Sequence, residues 1–122
     1  MVGYVTFGTN DMENSARFYD ALLAPLGAKR IMEMDSFILW GESFETACLA
    51  LAKPFDGGQA TVGNGVMVAL QVDSKESVDA VHKQALELGG QDEGAPGPRG
   101  EGFYAGYFRD VEGNKLNAFF LG

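Results

Sequence analysis

The chain has 122 residues, enough for one domain with a buried core and no need of covalent staples. Seventeen acids against nine bases leave a net charge of −8, which argues against a nucleic-acid backbone or an anionic membrane surface as partner. A single cysteine rules out an internal disulfide. No apolar run approaches the roughly 20 residues that span a bilayer, and no secretory leader is visible, so a cytoplasmic location is expected.

Gly3–Thr9 mixes Val, Thr and aromatic residues as a strand does. Asn10 is expected to cap the following helix, with Glu13 as reciprocal partner three residues on. Met12, Ala16, Tyr19, Leu23 and Leu26 recur at helical spacing, and Gly27 stops the helix. Ala28–Met34, Phe37–Glu42 and Thr46–Lys53 read as three strands, and the Gly-rich span Pro54–Asn64 reads as a linker. The series then restarts. Val66–Asp73 is a strand, Asp73 a cap with Glu76 as partner, Val78, Val81, Ala85 and Leu88 an apolar stripe, and Gly89 and Gly90 a stop. Gln91–Gly94 reads as a short strand and Gly94–Gly102 as a flexible loop. Phe103–Asp110 and Lys115–Leu121 read as strands joined by a tight hairpin at Glu112-Gly113.

Val5 thus matches Val68, Glu13 matches Glu76, Leu23 matches Leu86 and Gly27 matches Gly90, at a spacing of about 63 residues. The expectation is a single α+β domain over 1–122 made of two tandem β-α-β-β-β modules. Module 1 covers about 1–54, the linker about 55–64 and module 2 about 65–122. Matching Phe37 to Tyr104 sets Trp40 on Tyr107, Leu49 on Leu116 and Ala50 on Asn117. Alternation gives each sheet a helix-facing side that includes Phe7, Leu49, Leu51, Val68, Leu70, Leu116 and Ala118. The opposite side carries Tyr4, Thr6, Cys48, Ala50, Met67, Ala69, Gln71, Asn117 and Phe119. A mostly apolar floor with a few polar tips suits a ligand groove, or else a partly hydrated sheet face or a dimer contact.

Other candidates carry two readings each. Phe37, Trp40, Tyr104 and Tyr107 pack in the core or at an edge, or line the groove mouth. Arg99 is a solvated loop residue, or it closes over an anionic ligand. Cys48 is expected to be a buried, inert thiol because no base or cation lies near it in sequence. His82, the only histidine, borders the second helix's apolar stripe and is expected to be structural or solvent-facing. Tyr4 is a weak candidate proton donor for a metal-free reaction.

Three segments, Phe18–Gly27, His82–Gly90 and Tyr104–Leu116, resemble the vicinal oxygen chelate superfamily, which includes glyoxalase I, bleomycin-resistance proteins and extradiol dioxygenases. The resemblance spans essentially the whole chain. It implies mixed sheets curling around a shared groove, often in a homodimer, and it implies metal ligands at Tyr4, Ala50, Met67 and Asn117. The typical ligands there are His or Gln, Glu, His and Glu, and none is present. One histidine in the whole chain also excludes a two-His iron triad or a three-His zinc site within one subunit. No metal and no cofactor are therefore expected. Tyr4, Thr6, Trp40, Ala50, Met67, Gln71, Arg99, Tyr104, Tyr107 and Asn117 are the expected ligand-binding set. The expected function is metal-independent binding of a small apolar or aromatic molecule. The alternatives are a lyase, isomerase or dioxygenase with atypical or no metal ligands, and a protein-interaction module whose groove is vestigial.

Overall fold

A computed structural model describes residues 1–122. The chain divides into two compact units, Met1–Val62 and Gly63–Gly122, and the division falls inside the Gly-rich span. The first unit runs β1 (Tyr4–Gly8), α1 (Met12–Leu23), a 3-10 turn (Ala24–Leu26), β2 (Lys29–Met34), β3 (Phe37–Gly41) and β4 (Cys48–Ala52). The second runs β5 (Val68–Gln71), α2 (Lys75–Glu87), β6 (Gln91–Pro98), β7 (Phe103–Arg109) and β8 (Lys115–Leu121). Their sheets have the same order, β1-β4-β3-β2 and β5-β8-β7-β6. In each, the first and last strands pair in parallel and the other neighbours are antiparallel. The fold is therefore α+β, built from tandem β-α-β-β-β modules.

Both helix caps sit one residue later than expected. Asp11, not Asn10, caps α1 and accepts a hydrogen bond from the Asn14 amide at 3.1 Å. Ser74, not Asp73, caps α2 and accepts from the Ser77 amide at 3.0 Å. Each pair offers two good capping side chains in a row, so composition could not choose between them. Gly27 takes the left-handed conformation after the 3-10 turn, at φ 85°. Its sequence match Gly90 serves a different need. Gly89 carries the left-handed turn there, while a Cβ on Gly90 would meet the Arg109 and Ala85 carbonyl oxygens at 2.5 and 2.8 Å.

The link between β7 and β8 is not the tight Glu112-Gly113 hairpin. Five residues, 110–114, turn around the buried Asp110 side chain, which accepts from the Glu112 and Asn114 amides and from the Asn114 side chain. The corresponding link in the first unit, residues 42–47, is one residue longer. That difference shifts the register. Trp40 pairs with Leu49, whereas Phe108 pairs with Leu116 and Tyr107 with Asn117. Trp40 is thus the counterpart of Phe108, not of Tyr107, and a one-residue slip exchanges the two faces of a strand.

The core of the first unit follows from that parity. Phe7, Leu49, Leu51 and Trp40 face α1, whose Ala16, Phe18, Tyr19, Leu22 and Leu23 are buried. The Tyr19 ring lies 5.8 Å from Trp40 and 6.5 Å from Phe7. The Trp40 indole N–H donates to Asp20 Oδ1 at 2.9 Å, and Arg30 grips both Asp20 oxygens at 2.8 and 2.7 Å. One carboxylate thereby ties α1 to β2 and β3.

The Arg30 hydrogen bonds hold the Asp20 carboxyl below the usual carboxylate range. Partial burial opposes that shift, and the Trp40 bond and the Arg30 charge add to it. A lowered folded value means that the ion pair stabilises the fold above the unfolded value near 3.9, and that this contribution disappears as pH falls through the folded value. Urea melts from pH 6 to pH 2 are expected to fall less steeply below about pH 4 for Asp20→Asn than for the parent chain. Identical slopes would show that the pair contributes nothing. The side chain is 43% exposed, so the difference is expected to be modest.

In the second unit Val78, Val81, His82 and Ala85 of α2 are buried. His82 has a structural place, with Nε2 at 3.0 Å from Asp92 Oδ1 on β6 and its ring edge-on to Phe108. Strand β6 continues to Pro98, four residues beyond the expected end. It lies at the sheet's edge, where Pro96 and Pro98 need donate no ladder bond.

Candidate functional site

Tyr4, Thr6 and Gly8 on β1, Cys48, Ala50 and Ala52 on β4, and Phe37 and Leu39 on β3 share the face of the first sheet that points away from α1. Leu39, Cys48 and Ala50 form a buried apolar cluster there, with Ile31 and Phe37 packed on it. The Cys48 thiol is buried and donates to the Ser43 and Thr46 carbonyls, as a structural cysteine does. Tyr4 and Phe37 stand on opposite sides of β4, and their rings meet edge to face at 5.9 Å. The small Ala50 side chain leaves the room for that meeting.

At the Gly8–Ala52 end this face opens into a pocket of about 730 Å³. Its apolar wall is Phe37, Ala52, Pro54, Phe55 and Ala60. Thr6, Ser36, Gln59 and Thr61 add hydroxyl and amide groups, and Lys53 and Asp56 add one charge of each sign. Segment 53–61 is the outer wall, and all of it after Lys53 reads as linker in sequence. Asn10 pins it in place, donating to the Ala60 carbonyl at 3.1 Å and accepting from the Ala60 amide at 2.7 Å. Gly8 permits the approach, since a Cβ there would already lie 3.0 Å from the Ala60 Cβ. Phe55 is fully exposed at the pocket rim.

On the second unit the face away from α2 carries Ala69 and Gln71 of β5, Lys115, Asn117 and Phe119 of β8, and Phe103, Ala105 and Tyr107 of β7. Phe103 stacks on Phe119 at 5.5 Å. Asn117 is 2% exposed, and its Oδ1 is buried without a hydrogen-bond partner. The Arg99 guanidinium lies over the Tyr107 ring at 5.5 Å and the Lys115 ammonium at 5.6 Å.

The expected ligand-binding set falls on both units. Thr6 lines the pocket of the first unit, and Tyr4 and Ala50 share its sheet face. Gln71, Tyr107 and Asn117 share the open face of the second sheet, and Met67 lies just ahead of β5, 40% exposed. Two members lie on the helix-facing sides instead. Trp40 is buried against Tyr19, and the Tyr104 hydroxyl donates to Asp79 of α2 at 2.7 Å. That bond, with burial and the Asp79 charge, raises the Tyr104 pKa above its ordinary value. Arg99 is tied down rather than free, donating to the Ala95 carbonyl at 2.7 Å while its backbone N–H bonds Phe103. Thr6 alone of the twelve pocket residues belongs to the expected ligand-binding set; Phe37, a candidate for the groove mouth in sequence, also lines the pocket, and the other ten were not expected there.

The residues at the superfamily's ligand positions do not fit a resident metal. The Ala50 side chain has no donor atom, Met67 offers a soft thioether, Tyr4 is a phenol, and Asn117 is a neutral amide where a carboxylate would balance charge. Nor are any three His, Cys, Asp or Glu side chains grouped so as to hold an ion.

Two tandem modules, each presenting an open sheet face, define the architectural class. The chain belongs to the Glyoxalase/Bleomycin resistance protein/Dioxygenase superfamily, whose family model matches residues 2–118. It is similar to a glyoxalase/bleomycin resistance protein from Albidiferax ferrireducens T118, at 34% identity over 100% of this chain and 99% of that one, with a TM-score of 0.91. A glyoxalase-related enzyme from Fulvimarina pelagi is 24% identical over 98% and 87% of the two chains, with a TM-score of 0.77. A lactoylglutathione lyase from Agrobacterium tumefaciens is 17% identical over 98% and 92%, with a TM-score of 0.72. These last two likenesses are likenesses of fold. No curated protein matches the chain.

Proposed function

We propose that the protein binds a small apolar or aromatic molecule without a metal ion, using the open sheet face of the first module. The observation that carries this reading is the pocket of about 730 Å³ between Phe37, Ala52 and segment 53–61. Its volume falls in the range of small-molecule sites, and its mix of an apolar wall with a few polar groups is the usual make-up of such sites. An exposed phenyl ring at the rim adds to it. Fully burying a Phe side chain is worth about 1.5–3 kcal/mol, so a flat apolar ligand stacked on Phe55 gains part of that by taking the ring out of water.

A ligand that binds only the folded chain raises its melting temperature. At 100 times the Kd the gain is about 2.7 kcal/mol, or roughly 10 °C for a domain of this size. Thermal melts against a panel of neutral aromatic and drug-like compounds are expected to give such shifts for compounds that fit the pocket. A panel in which nothing moves the melt contradicts the reading.

A further inference from the structure

We infer that Asn64 is a site of spontaneous covalent modification, where the chain converts its own asparagine to isoaspartate and aspartate with water as the only co-reactant. Asn64 is not among the residues that line the pocket of the first module, so the inference does not depend on the ligand proposed there.

The chemistry needs an asparagine side-chain amide, the main-chain nitrogen of the next residue, and room between them. The Gly65 nitrogen gives up its proton to solvent base and attacks Asn64 Cγ. An N–Cγ bond forms, the Cγ–Nδ2 bond breaks, and Nδ2 takes up a proton and leaves as ammonia. Water then opens the five-membered imide at either carbonyl. Opening at Cγ gives aspartate. Opening at the Asn64 main-chain carbonyl gives isoaspartate, which carries one extra methylene in the main chain. A side chain on the attacking residue crowds this path, and a hydrogen bond from its N–H opposes loss of the proton.

Only Asn64, of five asparagines, precedes a glycine. Asn64 and Gly65 are both exposed and form the turn between Gly63 and Val66. Gly65 has a φ of 96°, and a Cβ there would meet nothing within 4 Å, so the space beside it is open. Its N–H donates no hydrogen bond, and the Asn64 side chain makes none. The other candidates are held. The Asn10 side chain is bonded twice to Ala60, and the Asp11 N–H donates to Thr9 Oγ1 at 3.0 Å. Asn14 lies within α1, where the Ser15 N–H donates to the Asp11 carbonyl at 3.0 Å. Asn114 and Asn117 are buried. Asp56-Gly57 could close the same ring by losing water. There the carboxylate accepts from the Gly58 amide at 2.9 Å, and the Gly57 N–H donates to the Pro54 carbonyl at 3.0 Å.

Asn64 is the second residue of the second unit. Conversion adds a negative charge there and, as isoaspartate, lengthens the main chain just past the point where one unit gives way to the next.

The test keeps the full chain at physiological temperature in neutral and mildly alkaline buffer, with and without urea, and follows it by peptide mapping and mass spectrometry. The Asn64 peptide is expected to gain about one dalton, at least about tenfold faster than any other asparagine peptide and faster still in the alkaline buffer. Unfolding in urea is expected to change the Asn64 rate less than about threefold, because the folded turn does not hold the reacting groups. Asn64→Gln, whose ring would have six members, is expected to slow the conversion at least about tenfold. Gly65→Ala keeps the asparagine and is expected to slow it about tenfold by crowding the attack. Thermal melts check that both variants fold. A mass gain spread evenly over the asparagines overturns the inference, as does conversion at the parent rate in Asn64→Gln. A tenfold or greater acceleration at Asn64 on unfolding also overturns it, since the fold would then protect the site.

Discussion

Trp40→Ala is expected to cost about 3–5 kcal/mol and to lower the melting temperature by roughly 10–20 °C, with an unchanged denaturant slope. The indole is 1% exposed, and its ring packs against Tyr19 of α1. Truncation leaves a void that the sheet cannot close, because Leu49, its cross-strand partner, is held by its own ladder. The indole N–H also gives Asp20 one of its three hydrogen bonds. Trp40→Phe separates the two effects. It keeps most of the apolar volume and loses the hydrogen bond, so about 1–2 kcal/mol is expected. A loss below about 1 kcal/mol for Trp40→Ala would mean that Trp40 belongs to an accessible surface after all.

Ala52→Trp is expected to abolish ligand binding in the first module and to leave the fold nearly as stable as before. Ala52 lies on β4, paired with Gly8 on one side and Phe37 on the other, and its side chain lines the pocket. An indole there occupies the floor that a ligand would use, and the pocket's opening to solvent gives it room without crowding the helix-facing core. An affinity loss of at least about 100-fold is expected, equivalent to roughly 2.7 kcal/mol. Phe55→Ala is the complementary change. Phe55 is fully exposed, so apo stability should hold while affinity falls about tenfold, as loss of one stacking ring implies. Calorimetry with a melt-shifting neutral aromatic compound measures both. Unaltered affinity in Ala52→Trp would place the ligand elsewhere.

The architecture was legible because it is written twice. A strand, a capped helix and a glycine stop recur at one spacing, and the parallel pairing of first and last strands follows from the intervening helix. Single positions were less legible. Asn10 and Asp11, like Asp73 and Ser74, are equally good caps, and only backbone geometry selects between them. In the first pair the rejected residue acquired another task, since Asn10 fastens Ala60. An ungapped match of the two halves equates Trp40 with Tyr107, but the first hairpin link is one residue longer than the second, and alternation turns that small difference into the opposite face.

The pocket was the least legible part. The outward side of the first sheet could be read from alternation, and Thr6 was found that way. Its outer wall could not. Residues 54–61 look like a spacer because Gly57 and Gly58 break any periodic pattern, and the side-chain bond that folds this segment back joins residues 50 positions apart. The loss of metal donors, by contrast, was visible at once. It depends on which residues are present at Tyr4, Ala50, Met67 and Asn117, and no folding geometry gives the Ala50 side chain a lone pair.

The most direct measurement is the affinity of a pocket-binding neutral aromatic compound before and after exhaustive chelation, with metal content determined on the same sample. Metal-independent binding gives substoichiometric metal and a Kd unchanged by chelator or by added zinc, manganese or iron. A stoichiometric ion whose removal weakens the ligand tenfold or more, and whose return restores it, would contradict this reading and make the protein a metal-dependent member of its superfamily.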